Sequence, residues 1–308
     1  MMTILLTKVM EMNHKNKKYW SDRAKKRDKL LKKREDKLIK QINKVYGVAF
    51  ADTINDILAF YTEYVDEDGI LTIEEAMKAL DPSNLKQNTQ EIKALKELYE
   101  LYGDENIIKE MNYLLARNKV TRISALRDKI DTNFIMASAT VNKILTDEIE
   151  NIYQEEYKDV TKELGVNVKD LSKKSLISAT TMAWSGMNFS ARIWKNKAKV
   201  VSFLEETFVK ELRKGTDIRK IARNGSLRKL LRDTEKNVRF NTERLVRTET
   251  NYAQTSATLE GYRRSKFVHA VEISTAGDNR CCGTCSMKGG VVVKLENAIE
   301  GDNVPPFH

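Results

Sequence analysis

The sequence predicts a mainly α-helical protein whose long helices lead into a small C-terminal α+β module of the zinc-knuckle-like kind. The 308 residues include only 3 Pro and 13 Gly, too few for the many tight turns of a β-sandwich or barrel. Hydrophobic residues make up 41% of the chain and charged residues 32%, which is typical of long helices with one apolar stripe each. Beyond residue 266 the helical pattern gives way to short apolar runs around a Gly-rich loop.

The first predicted element is a basic helix, which we treat as a region of its own, residues 1–46. It holds 15 Lys and Arg against 5 Asp and Glu, a net charge of +10 that equals the excess of the whole chain. The basic stretch contains no Pro, and we expect its helix to end at Gly47. Ala24, Leu31 and Leu38 recur every seven residues and predict a narrow apolar seam for a partner helix.

The lysines of this helix predict a nucleic-acid interface. Lysines on one helix would displace the condensed counterions of a phosphate backbone, and the candidates are Lys25, Lys26, Lys29, Lys32, Lys33 and Lys40. A solvated helix face explains the same charge run without a ligand, so both interpretations stay open. Arg27 and Arg34 interrupt the seam complementary to the apolar one.

The second region, residues 47–118, is acidic and suits docking on a basic protein surface. It carries 15 acidic against 6 basic side chains. We expect two helices here, over residues 88–102 and 104–118, broken at Gly103.

A short acidic run in this region has two explanations. Asp66, Asp68 and Glu75 resemble the end of a calcium-binding loop, although Tyr64 stands where the first carboxylate ligand belongs. A turn followed by a helix, with Thr72 as N-cap and Glu75 as its capping-box partner, explains the same residues without a metal. We favour the turn, because short motifs of this kind match by chance.

Three more long helices are expected, over residues 120–164, 188–215 and 234–266. We assign residues 119–185 to a helical connector and residues 186–308 to a C-terminal domain. In the last helix, Ala253, Ser256 and Ala257 are small enough to let a neighbouring helix approach closely.

The C-terminal segment predicts a hairpin that carries a metal site. FVHAVEIS and VVVKL are typical strands on either side of the loop AGDNRCCGTCSMKGG. Cys282 and Cys285 have the spacing with which two thiolates hold one zinc ion, and His308 follows a rigid Pro-Pro pair that could aim it at them. The fourth ligand is water, Cys281, Asp278 or a residue further along the natural chain. A redox pair and unliganded structural cysteines remain alternatives.

Four motifs in order make the resemblance to a known family specific. They are Arg244-Leu-Val-Arg-Thr-Glu249, Gly277-Asp-Asn-Arg-Cys-Cys-Gly-Thr-Cys285, Gly289-Gly290 and Pro305-Pro306-Phe-His308. Together they resemble the signature of phage head-morphogenesis (minor capsid) proteins, the Mu F-like family, which reads approximately RTE, then D-x-R-x-C-x-x-C, then PP-x-H-P-x-C-x-C. The likeness covers about residues 186–308. The family's Pro-x-Cys-x-Cys tail is absent, so we expect the natural chain to continue past His308.

The resemblance implies roles for particular residues. Cys282, Cys285 and His308 correspond to the family's zinc ligands, and Asp278 and Arg280 lie in the loop before them. We expect two residues of the RTE motif, Arg247 and Glu249, to form a buried structural ion-pair network.

The resemblance implies a protein that is made in the host cytoplasm and carried in the virion, inside the capsid near the portal. The resemblance therefore implies a minor capsid protein that takes part in head assembly, DNA packaging or ejection. Its expected partners are portal and capsid or scaffold proteins and double-stranded DNA, contacted without sequence preference, and no membrane.

Two other classes of protein stay open. One is a virion-carried nuclease or toxin-like enzyme, but we expect no enzyme, because no nucleophile, base and oxyanion set can be assembled from the motifs. The other is a portal or scaffold adaptor without affinity for DNA. The first ten residues are apolar but too short to span a bilayer.

Overall fold

The computed structural model describes residues 3–8, 14–80, 85–117, 121–166, 176–177, 180–215, 226–265, 267–275 and 281–307. Side chains are described over the same parts except at residues 3–8, 14–17, 85–89 and 226–228. The chain is mainly helical with a small antiparallel sheet, which confirms the predicted fold class at this level. No helix in the described ranges has an apolar stretch long enough to cross a bilayer.

The helices follow the predicted order with some shifted ends. They are α1 (His14–Tyr64), α2 (Ile73–Ala76), α3 (Leu85–Tyr102), α4 (Glu105–Ala116), α5 (Arg122–Glu163), α6 (Phe189–Arg213), α7 (Ser226–Arg264) and α8 (Gly283–Lys288). The break at Gly103 is confirmed, because this residue has a positive φ of 66° and its N–H bonds back to Tyr99. Helix α7 begins earlier than the expected Thr234.

The prediction that the first helix ends at Gly47 is wrong. Helix α1 runs through this glycine to Tyr64, and Tyr46, Phe50 and Ile57 around and beyond it are buried. A glycine inside a helix costs about 1 kcal/mol. Burial of one large apolar side chain contributes about 2 kcal/mol, so packing outweighs the local signal.

The turn after helix α1 supports the metal-free interpretation of the acidic run. Thr72 is the N-cap of α2 and accepts the Glu75 backbone N–H at 3.2 Å, as predicted. The Glu75 carboxylate does not complete a capping box but pairs with Arg122 and Lys78. One Asp66 oxygen accepts the Ile70 N–H at 2.8 Å, so backbone and cations already engage these carboxylates.

The chain divides into two compact units, and helices α1, α5, α6 and α7 contribute residues to both. The first unit comprises residues 1–40, 145–190 and 243–308. It contains a three-stranded antiparallel sheet in the order β1-β2-β3, formed by β1 (Thr3–Lys8), β2 (Ala270–Thr275) and β3 (Val292–Lys294).

The hairpin predicted for the C-terminal segment is confirmed, and β1 adds a third strand to it. Val271 lies opposite Val293 in the β2–β3 pair, and Thr3 lies opposite Thr275 in the β1–β2 pair. The Gly-rich segment between β2 and β3 includes helix α8. We call residues 267–307 the C-terminal module. Its apolar side chains pack with those of α5 and α7 in one cluster, formed mainly by Val160, Leu259, Tyr262, Val271, Ile273, Val293, Leu295 and Val304.

The second unit comprises residues 41–144 and 191–242. Its core includes a cluster of Leu95, Ile107, Met111, Leu114, Ile135, Ala139 and Trp194. A buried ion-pair network lies beside this core: the Lys197 ammonium bonds Asp131 at 2.7 Å and Glu110 at 2.8 Å, and Arg117 bonds Asp128 at 3.2 Å. Each buried charge has an opposite charge within hydrogen-bond distance, which is what burial of charge requires.

Candidate functional site

The cysteines of the C-terminal module sit at the start of helix α8. Cys282 is the N-cap of this helix, and its sulfur accepts the backbone N–H of Cys285 at 3.5 Å. Cys282 is exposed, Cys285 is buried, and Cys281 is partly exposed. A cap bond between residues three apart brings the two side chains to the same side of one helical turn.

Hydrogen bonds lower the pKa of the Cys282 thiol. The main cause is the hydrogen bond from the Cys285 backbone N–H, and the second is the hydrogen bond from the Cys285 thiol. The backbone N–H of Thr284 lowers the pKa further. These donors stabilise negative charge on sulfur, as a metal-binding or nucleophilic thiol requires. The Cys282 side chain is exposed, so solvent reaches its sulfur.

Two adjacent sulfurs fit two corners of a tetrahedral zinc site. The third predicted ligand, His308, lies outside the described residues, as do the loop residues Asp278 and Arg280. Within the part of the chain that the structure describes, no group of three or more His, Cys, Asp or Glu side chains could hold a metal ion. The zinc site therefore stays a prediction, with the Cys282–Cys285 pair as its described half.

The RTE motif lies on helix α7, and its two charged side chains have different surroundings. Glu249 is buried, and its carboxylate accepts the indole N–H of Trp184 at 3.1 Å. Arg247 is about half exposed and pairs with Glu243 one turn away, at 2.6 Å. The prediction of a buried side chain therefore holds for Glu249 and is wrong for Arg247. Residues two apart lie on different sides of a helix, so the two side chains meet different surroundings.

Trp184 connects three segments of the first unit. Its ring stacks on Tyr252 of helix α7, with centroids 5.2 Å apart and planes 7° from parallel. Gly301, in the turn after β3, approaches it so closely that a Cβ there would lie 2.7 Å from the ring. Sequence reasoning missed this tryptophan, because nothing in the local pattern marks a side chain whose partners lie far along the chain.

The six candidate lysines of helix α1 are all exposed, and we call them the lysine face: Lys25, Lys26, Lys29, Lys32, Lys33 and Lys40. At 3.6 residues per turn they fall within an arc of about 120°. The seam residues Ala24, Leu31 and Leu38 are buried, and they fall on the opposite arc. Because every candidate lysine lies on the solvated side, the face is free to present positive charge to a polyanion.

The arginines of helix α1 lie on another side and pair with carboxylates of helix α5. Arg27 pairs with Glu156, and Arg34 pairs with Glu155 at 2.7 Å and Glu148 at 3.1 Å. These arginines therefore do not interrupt the packing of α1: they form the flanking ion pairs typical of a helix pair with a seven-residue repeat.

Two buried carboxylates complete the packing of α1, α5 and α7. Glu35 accepts the Thr250 hydroxyl at 2.7 Å, and Glu156 accepts the Thr258 hydroxyl at 2.6 Å. Burial raises the pKa of both carboxyls, although the Arg27 charge opposes the shift at Glu156. Glu35 is a charged residue on the apolar seam of α1. This departure from the apolar pattern was the feature of the sequence from which a buried carboxylate could have been predicted.

Comparison of the chain with protein-family models, with curated proteins and with solved structures finds no match. The resemblance to head-morphogenesis proteins therefore depends on the motifs of the sequence alone.

Proposed function

We propose that this chain is a minor capsid protein of a tailed bacteriophage, held inside the head near the portal, where it contacts packaged DNA without sequence preference. The four ordered motifs in residues 186–308 support the family, and the burial of Glu249 agrees with a structural role for its motif. The observation that carries the DNA contact is the lysine face. Portal and capsid or scaffold proteins are the proposed protein partners, and head assembly, packaging or ejection is the proposed step.

The division of cations on helix α1 favours contact with phosphates over recognition of bases. The lysine face spans about 22 Å along the helix, at 1.5 Å per residue. Lysine acts on phosphate as a solvated point charge, whereas arginine supplies the fork that reads bases. Since Arg27 and Arg34 are engaged by α5 carboxylates, the exposed arc offers only charge.

The test is retention of duplex DNA by the full chain as salt is raised. If all six lysines engage phosphates, affinity falls about 10³-fold between about 50 and about 200 mM salt. Replacing the six by Gln should remove most of the binding and flatten its salt dependence. A matched control replaces six exposed lysines elsewhere by Gln and should keep the steep dependence: Lys93, Lys96, Lys109, Lys195, Lys199 and Lys210.

Equal loss in both variants would mean that net charge alone matters, and no loss in either would reject DNA contact through α1. The second result favours the adaptor, which binds portal or scaffold proteins through the acidic second region and has no affinity for DNA. A pull-down with purified portal protein would then distinguish the adaptor from a chain of other function.

We also propose a structural zinc ion in the C-terminal module, held by Cys282, Cys285 and His308. Zinc would cross-link a module whose own core is small. Elemental analysis of the purified chain should find about one zinc per molecule, lost when Cys282 and Cys285 become Ser. Zinc content that persists in that double variant would place the metal elsewhere.

A further inference from the structure

We propose that Cys282 and Cys285 form a reversible disulfide when no zinc ion is bound to them, so that the zinc-free C-terminal module carries a thiol–disulfide switch. The two cysteines are already close: the backbone nitrogen of Cys285 lies 3.5 Å from the Cys282 sulfur and donates its hydrogen to it. Residues three apart within a helix have Cβ atoms about 5 to 6 Å apart, and Cys282 is the N-cap residue just before the helix that contains Cys285. A disulfide needs a somewhat shorter separation, about 3.5 to 4.5 Å, so closing the bond requires side-chain rotation and a small backbone adjustment.

The two cysteines differ in access, and this assigns their order of reaction. Cys282 is exposed at the helix start, whereas Cys285 is buried. Of the two proposed partners, Cys282 is the one that can meet a bulky disulfide from solution. The buried Cys285 thiol can react only with the neighbouring Cys282 sulfur. Cys285 is therefore the resolving thiol.

The switch uses a low-molecular-weight disulfide, such as oxidised glutathione, as its oxidant. The Cys282 sulfur attacks one glutathione sulfur, which forms a mixed disulfide and releases one glutathione that takes up the Cys282 proton. The Cys285 sulfur then attacks the Cys282 sulfur and releases the second glutathione with the Cys285 proton. Two protein thiols lose two electrons in total, and one glutathione disulfide gains them.

Cys281 provides the internal control, because it is the third thiol in the same segment. A bond between the adjacent residues Cys281 and Cys282 would force strained geometry, so we exclude Cys281 from the switch. The proposal does not depend on the capsid role. If that role holds, oxidation would follow when the particle leaves the reducing cytoplasm.

The experiment equilibrates the full chain with reduced and oxidised glutathione in the presence of a chelator and measures intact mass after acid quenching. The wild-type chain should lose the mass of two hydrogens and recover it with excess reduced glutathione. Cys285→Ser should accumulate one glutathione per chain, Cys282→Ser should form no intramolecular disulfide, and Cys281→Ser should match wild type.

Absence of a disulfide in pure oxidised glutathione, or its loss in Cys281→Ser, would overturn the proposal. If a variant does not fold, the wild-type disulfide can be assigned by fragmentation of peptide 281–288, which trypsin releases after Arg280 and Lys288. Zinc content and DNA retention are measured on separate reduced samples, so failure of the switch leaves the proposed function testable.

Discussion

The indole of Trp184 donates to the buried Glu249 carboxylate and stacks on Tyr252. The Glu249 side chain is buried, so loss of its donor would leave a carboxylate oxygen without this partner in a site shielded from water. Such a loss costs about 1 to 3 kcal/mol. The stacked ring and the N–H donor of Trp184 contribute separately to the stability of the fold, and a substitution can remove one and keep the other.

We expect Trp184→Phe to lower the Tm, because phenylalanine keeps an aromatic ring against Tyr252 but removes the N–H donor. Each kcal/mol lost should lower the Tm by about 2 to 4 °C, measured by circular dichroism. Glu243→Gln is the matched control on the same helix, because it breaks only the exposed pair with Arg247 and should cost less than about 0.5 kcal/mol. Equal Tm values for the two variants would contradict the role of the indole N–H.

Glu35 predicts a pH effect. Burial is the main cause of its raised pKa; the Thr250 hydrogen bond and the Arg247 charge oppose the shift, and Asp28 and Asp36 add to it. Because the folded-state pKa exceeds the ordinary value, the folded chain binds this proton more tightly than the unfolded chain. The ionised carboxylate therefore costs stability in full above the folded pKa, and this cost shrinks as pH falls below the folded pKa and is gone below the ordinary, unfolded pKa.

Glu35→Gln should raise the Tm at neutral pH, since the amide oxygen can still accept from Thr250 and carries no charge. The Tm advantage over wild type should shrink as pH falls from neutrality toward the ordinary range of carboxyl groups. Scanning calorimetry between these limits measures it. Asp36→Asn, at the exposed neighbouring position, is the control and should not show this trend.

Helices α5 and α7 approach closely at Gly261 in the first unit. A Cβ there would lie 2.6 Å from Cγ1 of Val160, which is fully buried. Ala257, one turn earlier, packs against Tyr153 and Tyr157, in line with the close approach that the small residues of α7 predicted. The contact depends on the absence of a side chain at residue 261.

Gly261→Ala should lower the Tm, although alanine normally stabilises a helix interior by about 1 kcal/mol relative to glycine. Overpacking against a side chain that cannot yield costs about 1 to 3 kcal/mol, so the sign reverses. Gly47→Ala in helix α1 is the comparison, because its nearest atom would be 3.9 Å away, and it should raise the Tm. A stabilising Gly261→Ala would show that α5 and α7 can separate at little cost.

The whole chain carries its net charge of +10 at the N-terminal end, and several buried charges among the described residues have an oppositely charged partner within the same unit. Such pairs, Lys197 with Asp131 and Arg27 with Glu156 among them, are satisfied by their partners in the folded chain. Paired buried charges of this kind are a structural requirement and need no catalytic explanation.

We expect supercoiled plasmid to stay intact with the purified chain in Mg²⁺, Mn²⁺ or Zn²⁺, while its mobility in a gel is retarded. Retardation should follow the lysine face, because binding to phosphates is electrostatic. Cleavage that persists in the six-lysine variant, or that any of these metals induces, would favour the virion-carried nuclease over the capsid protein.

Local patterns were sufficient for the order of the long helices, although not for the end of α1 or the start of α7, and for half of the candidate site. Helical periodicity, the breaker at Gly103 and the Cys282–Cys285 spacing each act over a few residues, so the sequence predicted them. The sequence alone left two interpretations of the lysine face open, a DNA contact and a solvated helix surface. A run of charged residues has the same sequence pattern whether or not a ligand covers it.

The sequence by itself determined the helical class, the position of the charge and the cysteine pair, since each depends on neighbours along the chain. Tertiary structure alone decided that α1 continues past Gly47, that β1 pairs with β2, and that Trp184 meets Glu249. The physical reason is the same in each case. Burial and long-range hydrogen bonds outweigh local preferences of about 1 kcal/mol, and their partners are distant in sequence.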